Sequence, residues 1–150
     1  MKRIVIYVIV LLLLTLVPIK GADIGSLHPV EILKIYRENG EVYAQTDTGD
    51  WGKGVTGSAA LEHLKETTAG TIYMDTAKYL LLEEGTETVA EEIRTLLKKS
   101  VRLCNADQGV ELTEVASFLS VHGTLPQMEQ WNMGDDLPQL TMVEKRLKLL

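Results

Sequence analysis

After Met1-Lys2-Arg3 the chain runs from Ile4 to Val17 as IVIYVIVLLLLTLV without a charge, and this run constrains everything that follows. It is apolar all the way round, more than a small domain could cover, which argues against a buried core helix as its role. A positive start followed by an apolar stretch of roughly 15 residues has the layout of an export signal; it falls short of the ~20 that span a bilayer comfortably. A signal peptide and a short uncleaved anchor both fit. Cleavage after Ala22 would place Lys20 third from the cut, and cleavage after Gly21 would place Ile19 there; neither is the small residue a signal peptidase wants. In either case Lys2 and Arg3 hold the N-terminus inside, and residues 23–150 lie outside the cytoplasm. The expected organisation is a signal or anchor over 1–22 and one extracytoplasmic domain over 23–150, long enough for a core of its own.

Charge is distributed unevenly about that boundary. Of the 15 Lys and Arg, three precede Asp23, whereas all 21 Asp and Glu lie from Asp23 onward, which leaves that part with 12 basic side chains and a net charge of −9. No basic face is patterned on it, which argues against nucleic acid as a partner. The single cysteine, Cys104, allows neither an intramolecular disulfide nor a thiolate metal cluster and is expected as a small buried hydrophobe.

HPVEILKIYRENGEVYAQTDTG reads as two strands, because Val, Ile and Tyr are enriched and Asn39-Gly40 supplies the positive φ angles of a tight hairpin. The glycine-rich TDTGDWGKGVTG is expected as a loop. SAALEHLKETTAG puts Ala60, Leu61, Leu64 and Thr68 on one helical face, with Gly70 as its stop. TIYM and KYLLLEE read as strands. In the next helix Thr88 and Glu91 suggest a capping box, Val89, Ile93, Leu96 and Leu97 the buried stripe, and Lys98-Lys99 the favourable dipole end. VRLC is a strand, NADQG a turn, and LTEVASFL a helix with Leu112, Val115, Ala116 and Leu119 inward. QLTMVEKRLKLL alternates like a hairpin turning at Glu144-Lys145, with a terminal helix as the alternative. The expected fold class is α+β: a small mixed β-sheet with about three helices, mainly on one face.

Side chains that could carry chemistry are scattered. His28, His63 and His122 show no metal-binding spacing, so no metal or cofactor is expected. Asp75, Lys78 and Tyr79 lie close in sequence, but neighbours on a strand point to opposite faces and cannot approach one atom together. GDWGKG lacks the spacing of a phosphate-binding loop. Asp135-Asp136 is too short a carboxylate pair for calcium. Two tryptophans stand out as partner contacts: Trp51, an aromatic beside glycines on a loop, and Trp131 in QMEQWNMGDDLP, where strapping the tail to the core is the competing and favoured role.

In element order the chain resembles the N-terminal domain of the spore germination receptor C-subunit lipoproteins, the Ger(x)C family. The resemblance covers about Asp23 to Leu119. It rests on the export signal, ADIGSLHPVEILKI as the first strand, the hairpin after it, SAALEHLKE as the helix after a variable loop, and TIYMDTAKYLLLEEG as paired strands before TETVAEEIRTLLKKSVRLC. Gly21 and Ala22 stand where the family carries its lipid-bearing cysteine, and the family's two later domains have no counterpart in this sequence. The resemblance implies a non-catalytic, membrane-associated extracytoplasmic module with an envelope or membrane protein partner, linked to sporulation or germination. The competing reading is an extracytoplasmic enzyme or small-molecule sensor whose site assembles only in three dimensions, for example from Asp47, Asp50 and Asp75.

Overall fold

The computed structural model describes residues 5–7 and 27–150. The signal or anchor segment and the boundary at residues 22 and 23 thus lie almost wholly outside the described residues. The fold is a mixed α/β domain: a two-stranded sheet of β1 (Leu27–Pro29) and β5 (Thr71–Tyr73), and a seven-stranded mixed sheet in the order β4 (Trp51–Gly54), β3 (Glu41–Thr46), β2 (Ile32–Glu38), β6 (Tyr79–Leu82), β7 (Arg102–Ala106), β8 (Gln139–Val143) and β9 (Arg146–Leu149).

The hairpin is where Asn39-Gly40 places it. Strand β2 (Ile32–Glu38) and β3 (Glu41–Thr46) pair antiparallel with Glu38 opposite Glu41, and Asn39 (φ 52°) and Gly40 (φ 82°) make the turn. Two positive φ angles match the twist of the flanking strands. The expected loop after it is in part a strand. β4 (Trp51–Gly54) pairs antiparallel with β3, because Trp51 and Lys53 find Gln45 and Tyr43 opposite while the intervening glycines face a helix. That helix, α1 (Gly57–Thr67), starts at Thr56, whose side chain accepts from the Ala59 N–H at 3.2 Å. It ends before Gly70: the Thr68 N–H and hydroxyl both bond the Leu64 carbonyl, satisfying an end that would otherwise be left open.

The TIYM and KYLLLEE runs are both strands but do not pair with one another. β5 (Thr71–Tyr73) runs parallel to β1 (Leu27–Pro29), while β6 (Tyr79–Leu82) runs parallel to β2. The expected capping box does not form. Helix α2 (Glu87–Ile93) begins two residues earlier, with Thr86 rather than Thr88 at its N-cap; the Thr86 hydroxyl bonds back to the Glu83 carbonyl at 2.7 Å, and a 3₁₀ turn over Arg94–Leu96 ends the helix short of Lys98 and Lys99. That tightening rotates Leu96 outward, where it is half exposed, and leaves Leu97 buried.

β7 (Arg102–Ala106) joins β6 in parallel. A 3₁₀ turn (Leu112–Glu114) and helix α3 (Val115–His122) follow, then β8 (Gln139–Val143), parallel to β7, and β9 (Arg146–Leu149), antiparallel to β8 through the Glu144-Lys145 turn.

Two of the three helices lie on one face of the sheet, as expected, and the third covers part of the other, so both faces carry core. Leu33, Ile35, Leu80, Leu82 and Leu103 pack with α1, α2 and Trp131. Their neighbours in the strands, Ile32, Tyr79, Leu81 and Cys104, pack with Val115 and Leu119 of α3. Parallel strands buried on both sides read as continuous apolar runs, which is the texture of YLLL. Among the described residues, no helix is long and apolar enough to cross a membrane.

Candidate interaction surface

The second face of the sheet is divided. α3 covers it over β6 and β7, but no helix among the described residues packs on it over β3 and β4. Tyr36, Tyr43 and Trp51 line up across this open part. The two tyrosine rings stack with centroids 5.0 Å apart at 11°, and Trp51 follows Tyr43 at 6.2 Å. Trp51 is 51 % exposed. It sits on a strand rather than a flexible loop, and its position is fixed: the His63 ring meets it edge-on at 6.4 Å and the Thr67 hydroxyl donates to its carbonyl at 3.3 Å. The His63 Nδ1 accepts from the Lys53 N–H at 3.1 Å, so helix α1 also closes the edge of β4.

The glycines of GDWGKG make this possible. A methyl group on Gly52 would lie 2.3 Å from the Leu64 nitrogen, and one on Gly54 would lie 2.7 Å from the Ala59 Cβ. Their absence of side chain lets α1 lie directly on β4 and leaves Trp51 and Lys53 on the opposite face. Lys53 pairs there with Glu41 at 2.9 Å, and that hydrogen bond together with the glutamate's charge pushes the ammonium pKa up. Burial, and then the negative charge of Glu38, pushes the Tyr36 phenol up, keeping a protonated hydroxyl on this surface.

Beside the aromatic row lies a charge that sequence reading passed over. Lys34 is 4 % exposed, with its Nζ 3.0 Å from Glu83 Oε1, donating also to the carbonyls of Gln108 (3.2 Å) and Asp107 (3.4 Å). It joins β2 and the residue after β6 to the turn after β7. The available signal was a lysine flanked by Leu33 and Ile35 in a strand buried on both faces, because a charge in such a place needs partners.

Trp131 is 1 % exposed and belongs to the core, so its indole offers no surface to a partner. The segment around it is strapped down by Arg94, whose Nη2 donates to the carbonyls of Met128 (2.6 Å) and Trp131 (2.8 Å). The carboxylates considered for chemistry hold turns instead. Asp47 accepts from the N–H groups of Glu31 and Ile32 at 3.1 and 3.2 Å; Asp50 accepts from the Thr48 hydroxyl at 2.8 Å and lies 3.5 Å from His28 Nδ1. Asp75 stands in a 3₁₀ turn, at the rim of a cleft shared with Lys78. His122 stacks on Phe118 at 4.5 Å, far along the chain from the other histidines. Among the described residues, no group of three or more His, Cys, Asp or Glu could hold a metal ion. Cys104 is buried, and burial pushes its thiol up to about 12. A thiol so placed is a packing group rather than a nucleophile at neutral pH.

The arrangement can do one thing well: present a preorganised, half-exposed indole with two stacked phenols beside it on an uncovered sheet. No family model matches this chain, and none of the curated proteins or solved structures compared with it matches either.

Proposed function

We propose that residues 23–150 are a non-catalytic interaction domain held at the outer face of the cytoplasmic membrane, with the apolar run Ile4 to Val17 as an N-terminal signal or anchor helix. Trp51 is the contact to an envelope or membrane protein. The observation that carries this reading is the held indole. Its large surface is already ordered by Tyr43, His63 and Thr67, so a partner that covers it loses little further conformational entropy. The Ger(x)C resemblance adds the context of sporulation or spore germination.

Two measurements test it. Intact masses of the chain from separated membrane and soluble fractions should show a membrane-bound form that retains residues 1–22; a processed chain found only in the soluble fraction sinks the tether. Crosslinking in the membrane should trap a protein partner that Trp51→Ala loses while its circular dichroism spectrum is unchanged. A partner yield unaffected by Trp51→Ala removes the indole from the interface.

A further inference from the structure

We infer that strand β9 takes on an added strand from a partner protein, an extended segment in which apolar and acidic side chains alternate. The inference stands apart from the tether and from Trp51, at the other end of the sheet.

The two edges of the seven-stranded sheet, β4 and β9, are finished differently. On β4 the Trp51 carbonyl accepts from the Thr67 hydroxyl and the Lys53 N–H donates to His63, so one turn of α1 closes that edge. β9 pairs with β8 alone among the described residues. Gln139 and Leu150 exchange N–H···O bonds at 3.0 and 2.9 Å, which sets the phase of this antiparallel pair. Hydrogen-bonded positions alternate, so Lys148 and Arg146 bond to β8 while Leu147 and Leu149 turn their N–H and C=O groups outward. These four backbone groups have no protein partner among the described residues, and such a row is a template for another strand.

The flanks of the edge set what that strand must carry. On one face Leu147 and Leu149 pack toward α3. Beside them a groove of about 1000 Å³ between α3 and the β8–β9 hairpin is lined by Phe118, Met142 and Leu147. Its rim carries both signs, Glu111 and Glu114 from the turn before α3 and Lys145 and Arg146 from the hairpin, so what the groove offers is its apolar floor. The other face of β9 carries one sign. Alternation puts Lys148 there opposite Thr141, and Arg146 opposite Val143. Both cations are exposed and neither has a carboxylate within 4.0 Å among the described residues. Glu144 lies in the turn beyond the last pair of the hairpin, and Asp135-Asp136 come before the first.

A second copy does not fit this edge. The two-fold pairing that would satisfy all four groups in each copy sets Lys148 directly opposite its own counterpart, and like charges so placed repel. A strand of other composition gains the same four hydrogen bonds, lays apolar side chains along Leu147 and Leu149 beside the groove, and sets a carboxylate opposite Lys148.

The test uses the isotope-labelled full chain in detergent micelles, with exchange of single amides read by NMR. The probes are two capped hexapeptides, one alternating valine with glutamate and one alternating valine with lysine. Without peptide, the Leu147 and Leu149 amides should exchange much faster than that of Lys148. The valine–glutamate peptide should slow both about tenfold once it stands about ten times above its Kd, and the valine–lysine peptide should leave them unchanged. Lys148→Glu, at an exposed position, should reverse the preference between the peptides. Slowing by neither at millimolar concentration overturns the strand-accepting edge, and equal slowing by both overturns the acidic partner. Amides already protected without peptide, in a particle holding two chains, overturn it in favour of a second copy. Trp51→Ala should leave all these rates as they are, so failure here is read separately from failure of the indole contact.

Discussion

The two halves of the main sheet are built on different terms. Strands β6 and β7 are covered on both faces, by α1 and α2 on one side and α3 on the other, and Leu80, Leu81, Leu82, Leu103 and Cys104 are all fully buried. The β3–β4 end is covered by a helix on one face only. There the helix comes down onto bare glycine backbone, and the other face keeps its aromatic row in contact with water. The contrast teaches that the first half carries most of the buried core and the second keeps aromatic surface uncovered, with Lys34 as the seam between them.

Cutting into the doubly covered half should cost most. Leu81→Ala, at a fully buried position, is expected to lower unfolding free energy by about 4 kcal/mol in urea titration. A loss near that of an exposed site would mean that α3 does not seal its face. The seam comes next: Lys34→Met leaves Glu83 facing the interior without its cation and should cost about 3 kcal/mol, most of it recovered by adding Glu83→Gln. No recovery in the double substitution would place the cost in packing rather than charge.

The smaller effects belong to the hairpin half. Gly52→Ala forces α1 away from β4 and should cost about 2 kcal/mol, with a weakened grip on Trp51 that shows as greater quenching of its fluorescence by acrylamide. Tyr43→Ala, on the open face, should cost only about 1 kcal/mol, and a loss as large as that of Leu81→Ala would break the comparison. The smallest effect concerns Glu92, whose carboxylate accepts from the N–H groups of Gly57 and Ser58, both at 3.0 Å, at the start of α1. The Ser58 bond first, then that from Gly57, holds its pKa below the ordinary 4.5 against some desolvation. A carboxylate with a depressed folded pKa adds stability above its unfolded value and loses it as pH falls through the folded one. Wild type should therefore lose stability relative to Glu92→Gln below about pH 4.5, by less than about 1 kcal/mol at so exposed a site.

Local chemistry made part of this legible in the sequence. Asn39-Gly40 tolerates two positive φ angles in succession, so the first hairpin could be read directly, and the alternation after Gln139 showed the second. The stripe of Ala60, Leu61 and Leu64 announced α1. Trp51 could be singled out as an indole beside glycines, but the glycines suggested freedom where they provide close packing. A glycine that yields a turn and a glycine that admits a helix look alike until the helix is present.

Alone, the sequence determined the contrast between an apolar N-terminal run and an acidic remainder, the identities of most strands and helices, and the burial of Cys104, because each follows from local pattern and composition. Only the tertiary structure decided which strands pair, that core lies on both faces, that Trp131 is sealed in while Trp51 is not, and that β4 and β9 form the two edges of the sheet. Those outcomes depend on contacts between residues far apart in the chain, whose energies no single segment contains.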